Sequence, residues 1–80
     1  MNEAIKRHNL RDRDIVIGRN PAWINGAQSV YPFTVILAWD NWSHNPLIKE
    51  YPQETFESAV VTAQSFSESY HINYRIEQGL

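Results

Sequence analysis

The segment Gln53–Tyr70 repeats apolar residues at helical spacing. The recurring positions are Phe56, Ala59, Val60, Ala63, Phe66 and Tyr70. At about 100° per residue they fall in one stripe roughly 120° wide, the pattern of a helix packed against a core. The carboxylates of Glu54 and Glu57 suit the positive end of a helix dipole, so the helix is predicted to begin near 52–55 and to end around Tyr70.

Strand-like alternation is clearest in Val30–Trp39. Its large side chains share one face by two-residue spacing: Tyr31, Phe33, Val35, Leu37 and Trp39. This aromatic face is predicted to meet the helix. The opposite face is smaller and mixed, with Pro32, Thr34, Ile36 and Ala38.

Three other segments carry strand signals. A β-branched run predicts a strand over Asp14–Arg19, and a short strand is predicted over Leu47–Tyr51, before Pro52. Alternation of Ile72, Tyr74 and Ile76 predicts a last strand with one apolar face. Between the first two strands, Asn25-Gly26 is typical of a turn.

The resulting order is β–β–(β)–α–β, which predicts an α+β fold. We expect a small, mostly antiparallel sheet of three to four strands packed on one amphipathic helix. Residues 14–80 form the single domain in this prediction, and residues 1–13 form a polar, basic N-terminal arm, with a short helix as the alternative.

Composition narrows the function. The chain of 80 residues contains no cysteine, which excludes disulfides and cysteine-based zinc or iron–sulfur sites. Residues 1–9 lack the apolar core of a signal peptide, and the longest continuous apolar run is Val35–Trp39, far short of a membrane span. We therefore expect a cytoplasmic protein that does not bind a membrane.

The charges are unevenly placed along the chain. Residues 1–20 carry a net charge of +2, and residues 21–80 carry −4. The basic positions of the first part are Lys6, Arg7, Arg11, Arg13 and Arg19. They suggest a nucleic-acid-binding arm as an alternative function, although the acidic remainder would repel the same polymer.

Catalytic residue patterns are missing from the sequence. The three histidines, His8, His44 and His71, have no second ligand at metal-binding spacing, and Asp40 with His44 is the best local pair. No nucleophile motif frames a serine, and the three glycines are scattered rather than grouped in a phosphate-binding loop. We expect no enzyme activity, no cofactor and no metal site.

A helix face and two loops favour protein binding instead. On the outer side of the predicted helix, an acidic stripe with one valine is formed by Glu54, Glu57, Val61, Gln64 and Glu68. Trp42 lies in a polar loop outside the strand alternation, and Trp23 lies in another. Exposed tryptophan is typical of binding hot spots, but Trp42 folded back as a lid on the small core is the alternative.

The chain resembles phage-encoded inhibitors of host defence, including anti-CRISPR proteins, in its size, acidity and lack of cysteine and catalytic residues. The resemblance favours an inhibitor of a host system. Together with the acidic stripe, the loops that carry tryptophan and the missing catalytic residues, it leads us to expect a non-enzymatic inhibitor or adaptor that occludes a partner protein with a basic surface. The other alternative is a structural homodimer that pairs through an edge strand or through the sheet face of Ile36 and Ala38.

Overall fold

The computed structural model describes residues 3–20 and 31–80. Trp23 and the turn predicted at Asn25-Gly26 lie outside these residues. The elements follow in the order helix α1 (Glu3–His8), strands β1 (Arg13–Arg19), β2 (Phe33–Trp39) and β3 (Leu47–Gln53), helix α2 (Phe56–Tyr70) and strand β4 (Arg75–Ile76).

The four strands form one mixed sheet in the order β3–β2–β1–β4. Strand β2 runs antiparallel to both β1 and β3, and the short β4 runs parallel to β1. The predicted fold class is confirmed: the chain is an α+β fold with a mostly antiparallel sheet and one main helix on it.

Helix α2 covers the face of β2 that carries Phe33, Val35, Leu37 and Trp39, as predicted. Tyr31, expected on the same face, lies before the strand and is 42% exposed. Thr55 is the N-cap of α2 and accepts a hydrogen bond from the amide of Ser58 at 3.0 Å, and His71 ends the helix in the left-handed conformation. Ala59 and Ala63 are fully buried and allow close approach of the helix to Ile15, Ile17, Val35 and Leu37. Larger rings close the sides of this layer, with Phe56 against Phe33 and Phe66 against Tyr51.

The opposite face of the sheet is covered as well, by the chain's own N-terminal segment. Of the two interpretations of this segment, a helix or a loose arm, the structure has helix α1 over six residues. Ala4 and Leu10 are buried against Val16, Ile36 and Ala38. A homodimer interface at Ile36 and Ala38 is therefore not accessible in this fold.

Burial on both faces explains the continuous apolar runs of the central strands. The middle five residues of both β1 and β2 are buried, because strands covered on two sides have no solvent face to alternate with. The predicted alternation in β2 separated large from small residues, but it did not separate buried from exposed ones.

Each strand has a boundary that differs from the prediction. Strand β1 begins one residue earlier, at Arg13, and β2 begins at Phe33, after Pro32. Strand β3 continues through Pro52 to Gln53, since proline is tolerated where an edge strand needs no donor. The last strand is only Arg75–Ile76, so most of the alternating segment around it lies outside the ladder.

Candidate protein-binding surface

The outer face of α2 is acidic and open to solvent. Glu57, Gln64 and Glu68 are exposed on α2, and Val61 between them is 67% exposed. Glu54, predicted as part of the helical stripe, is exposed too but lies before the N-cap Thr55. Helix α2 contains no lysine or arginine that could neutralise these carboxylates. We call the five residues Glu54, Glu57, Val61, Gln64 and Glu68 the acidic face. Its one apolar side chain, Val61, lies among carboxylates.

Trp42 is exposed on a loop held by its own hydrogen bonds. Asp40 adopts a left-handed conformation, with φ of 59°. Its carbonyl accepts from the amide of Ser43 at 3.1 Å and from the Ser43 hydroxyl at 3.0 Å, and that hydroxyl accepts from the amide of Asn45 at 3.2 Å. Trp42 is 87% exposed, so it is not a lid on the core.

Further apolar groups surround the base of this loop. Trp39 lies 5.2 Å from Tyr70 between ring centroids and pairs with Leu47 across the ladder. Tyr70 and Leu47 are 44% and 45% exposed. Together with Trp42 they form what we call the tryptophan end: Trp39, Trp42, Leu47 and Tyr70.

The sequence did not reveal this cluster. Tyr70 belongs to the apolar stripe of α2, and Leu47 begins a strand, so both patterns predict burial. They are exposed because Tyr70 is the last residue of its helix and Leu47 the first of an edge strand. The one sequence feature that could have indicated their exposure is that both residues lie at the end of a predicted element.

A small depression adjoins the tryptophan end. It has a volume of about 260 Å³ and is lined by Asp12, Arg13, Trp39 and Asp40. The guanidinium carbon of Arg13 lies 5.2 Å from the centre of the Trp39 ring, at cation–π distance. The face of the Trp39 ring that could bind a cation from a partner is thus already occupied by Arg13 of the same chain.

The basic residues predicted as a nucleic-acid surface are exposed but dispersed. Arg7 pairs with Glu3 at 3.2 Å, and Arg13 lies over Trp39. Arg13 and Arg19 stand at opposite ends of β1, about 20 Å apart for seven extended residues. Lys6 and Arg11 are exposed on the N-terminal segment. The basic charges are thus spread over α1, the segment after it and both ends of β1.

A second group of ionisable residues surrounds two buried side chains, those of His8 and Asp14, and sequence reasoning missed it. Its other members, Arg75 and Glu77, keep about a quarter of their side-chain surface exposed. Arg75 contacts Asp14 through Nε at 3.1 Å and through Nη2 at 2.8 Å, and the Asp14 side chain is 3% exposed. The Nδ1 of His8 donates to Oε1 of Glu77 at 3.0 Å, and the His8 side chain is 1% exposed. We call these four residues the polar clasp.

The imidazole of the polar clasp is enclosed, with 1% of the His8 side chain exposed. The Nε2 of His8 is buried and has no partner among the described residues. Gly18 lies directly beneath, where an added Cβ would come within 2.6 Å of Oε2 of Glu77. The His8–Glu77 contact therefore joins helix α1 to the segment after β4 at an enclosed position of the fold.

The other candidate groups that the structure describes are exposed or take part in local hydrogen bonds. Within residues 3–20 and 31–80, no three histidine, aspartate or glutamate side chains are placed to hold a metal ion. Asp40 and His44 are both exposed in the loop. The hydroxyl of Ser58 donates to Gln53, and that of Ser67 donates to the carbonyl of Ile72, so both serve the ends of α2.

Comparison with known proteins adds no family. No protein-family model matches the chain, and no significant match was found among curated proteins or among solved structures. Of the helices that the structure describes, none combines the length and apolar character needed to cross a membrane.

Proposed function

We propose that this chain is a non-enzymatic protein-binding module, which acts as an inhibitor or adaptor by occluding a basic surface of another protein. The acidic face and the tryptophan end would form its contact surface. The observation that carries the proposal is Trp42, which is 87% exposed on a loop fixed by three hydrogen bonds.

Exposing the apolar surface of a tryptophan to water is unfavourable, whereas burying it in an interface is favourable. Near the loop of Trp42, Tyr70 packs on Trp39, and exposed apolar patches are uncommon on monomers and typical of binding sites. Because the loop is already ordered, little conformational entropy would be lost when Trp42 enters a partner's pocket. Tyr70 and Leu47 would extend the contact around it.

The chemistry of the acidic face supports a basic partner. Glu57 and Glu68 flank Val61 on a helix without a basic residue. Opposite charge around a small apolar centre favours rapid and selective association. A protein that holds nucleic acid on a basic surface has the complementary charge, and a phage-type inhibitor of a defence system, such as an anti-CRISPR protein, would bind that kind of surface.

Affinity purification from the native host tests the proposal. The tagged chain should capture a discrete protein, and Trp42→Ala should capture at least about tenfold less, as expected for a hot-spot residue. The captured protein is then purified and its dissociation constant measured directly. Glu50→Lys is the matched control for Glu57→Lys, since Glu50 is exposed on β3, outside the proposed surface.

Equal capture by folded Trp42→Ala would exclude the tryptophan end. Equal weakening by Glu50→Lys and Glu57→Lys would show that only net charge matters, and would exclude the acidic face as a defined surface.

A further inference from the structure

The two terminal elements of the fold are each too short to be stable alone. Helix α1 has six residues, whereas isolated helices shorter than about 12–15 residues are marginal in water. Strand β4 pairs with β1 through Arg75 and Ile76 only, and the amide of Glu77 adds one bond to the carbonyl of Ile17 at 2.9 Å. Each element therefore needs support from elsewhere.

Side chains of the C-terminal segment hold the end of α1. The Nη2 of Arg75 donates to the carbonyl of Asn9 at 3.0 Å and to that of His8 at 3.3 Å. Carbonyls at the C-terminus of a helix lack partners within it, and a cation is favourable there. Glu77 also accepts from the His8 side chain, so Arg75 and Glu77, on either side of Ile76, both bind the end of α1.

The support is mutual. Without α1, the carboxylate of Glu77 would lose His8, and Arg75 would lose both carbonyls. The apolar side of α1 completes the arrangement, since Ala4 and Ile5 pack against Val16 and Ile36 on the sheet.

From these contacts we propose that α1 and β4 open and close as one cooperative unit, which the polar clasp holds shut. Opening would uncover the second apolar face of the sheet, at Val16, Ile36 and Ala38, while α2 and strands β1–β3 stay folded. The opening is local because α1 and α2 cover different residues of the sheet. Ile72, Tyr74 and Leu80, on either side of β4, pack in the layer beneath α2 and would stay there when β4 separates from β1.

Native-state hydrogen exchange of the full chain tests this coupling in both directions. Ile5→Ala weakens the packing of α1, and we expect it to speed exchange at the Glu77 amide by about tenfold. Glu77→Ala should in turn speed exchange at the Leu10 amide, which is bonded to the carbonyl of Ile5 at 3.0 Å. Val60→Ala is the control, because Val60 packs on the other face.

Three results would overturn the proposal. One is faster exchange confined to residues 3–10 in Ile5→Ala. Another is equal acceleration at Leu10 and Glu77 by Val60→Ala, which would make the whole domain the opening unit. The third is loss of the fold in Ile5→Ala, since α1 would then not be separable from the rest.

Discussion

The guanidinium of Arg75 and the carboxylate of Asp14 lie 2.8 Å apart, although 61 positions separate them in the chain. The Asp14 side chain is 3% exposed and also accepts from the amide of Arg11 at 2.9 Å. This pair joins the start of β1, the first strand, to β4, the last strand.

Removing the cation of this pair should destabilise the domain. Arg75→Met leaves the Asp14 carboxylate buried without its counter-charge, which costs about 3 kcal/mol in comparable cases. The urea midpoint of unfolding measures the loss. Arg75→Lys retains the charge without the planar fork and should lose less; Arg75→Met with the stability of the parent would show that the pair contributes nothing.

The helices and strands that depend on a local sequence pattern could be predicted, whereas the polar clasp could not. The helical stripe from Phe56 to Tyr70 and the alternation through Trp39 depend on near neighbours, and both elements are present. The contacts His8–Glu77 and Asp14–Arg75 join segments far apart in the chain, and no local pattern shows that these segments meet. In the sequence, Arg75 and Glu77 alternate with apolar residues, which predicts that both are exposed.

The N-terminal helix was hard to predict for a related reason. Residues 3–8 have few apolar positions, so intrinsic pattern gives little support. Helix α1 forms because Ala4 and Leu10 pack on the sheet face that α2 does not cover, and because Arg75 caps the C-terminal end of the helix. For the candidate surface, exposure of Glu57 and Glu68 followed from helical periodicity, but exposure of Tyr70 followed only from its terminal position.

Gly18→Ala should disturb the polar clasp by contact rather than by backbone strain. The new methyl group would lie 2.6 Å from Oε2 of Glu77 and 3.1 Å from Nδ1 of His8. Overpacking of this kind typically costs 1–3 kcal/mol, and we expect about 2. In a double-mutant cycle, Glu77→Ala should relieve part of the loss; strictly additive effects would mean that the two side chains do not collide.

Thr34→Val should stabilise the protein. Thr34 is 1% exposed, and its hydroxyl has no hydrogen-bond partner among the described residues. Replacing an unsatisfied buried hydroxyl by a methyl group of similar shape removes a desolvation cost of about 1 kcal/mol. Thermal unfolding measures this directly. A lower melting temperature would show that the hydroxyl does have a partner, and Thr34→Ser is the control that keeps the hydroxyl.

Trp42→Ala should leave stability almost unchanged, in contrast to Trp39→Ala. Trp42 is exposed on a loop, and substitutions at such positions usually stay within about 0.5 kcal/mol. Trp39 contacts Tyr70 and Arg13 and packs against the core, so its removal should cost several times more. Unfolding of both variants in urea separates them; a large loss in Trp42→Ala would assign that side chain to the fold instead of to a partner.

The most direct test of the protein-binding proposal is the affinity of Glu57→Lys/Glu68→Lys for the purified partner. Both positions are exposed, so the variant should fold normally. Reversing two charges against a basic surface should raise the dissociation constant at least about tenfold, with the larger effect at low salt. A dissociation constant equal to that of the parent, measured on the folded variant, would contradict docking through the acidic face of α2.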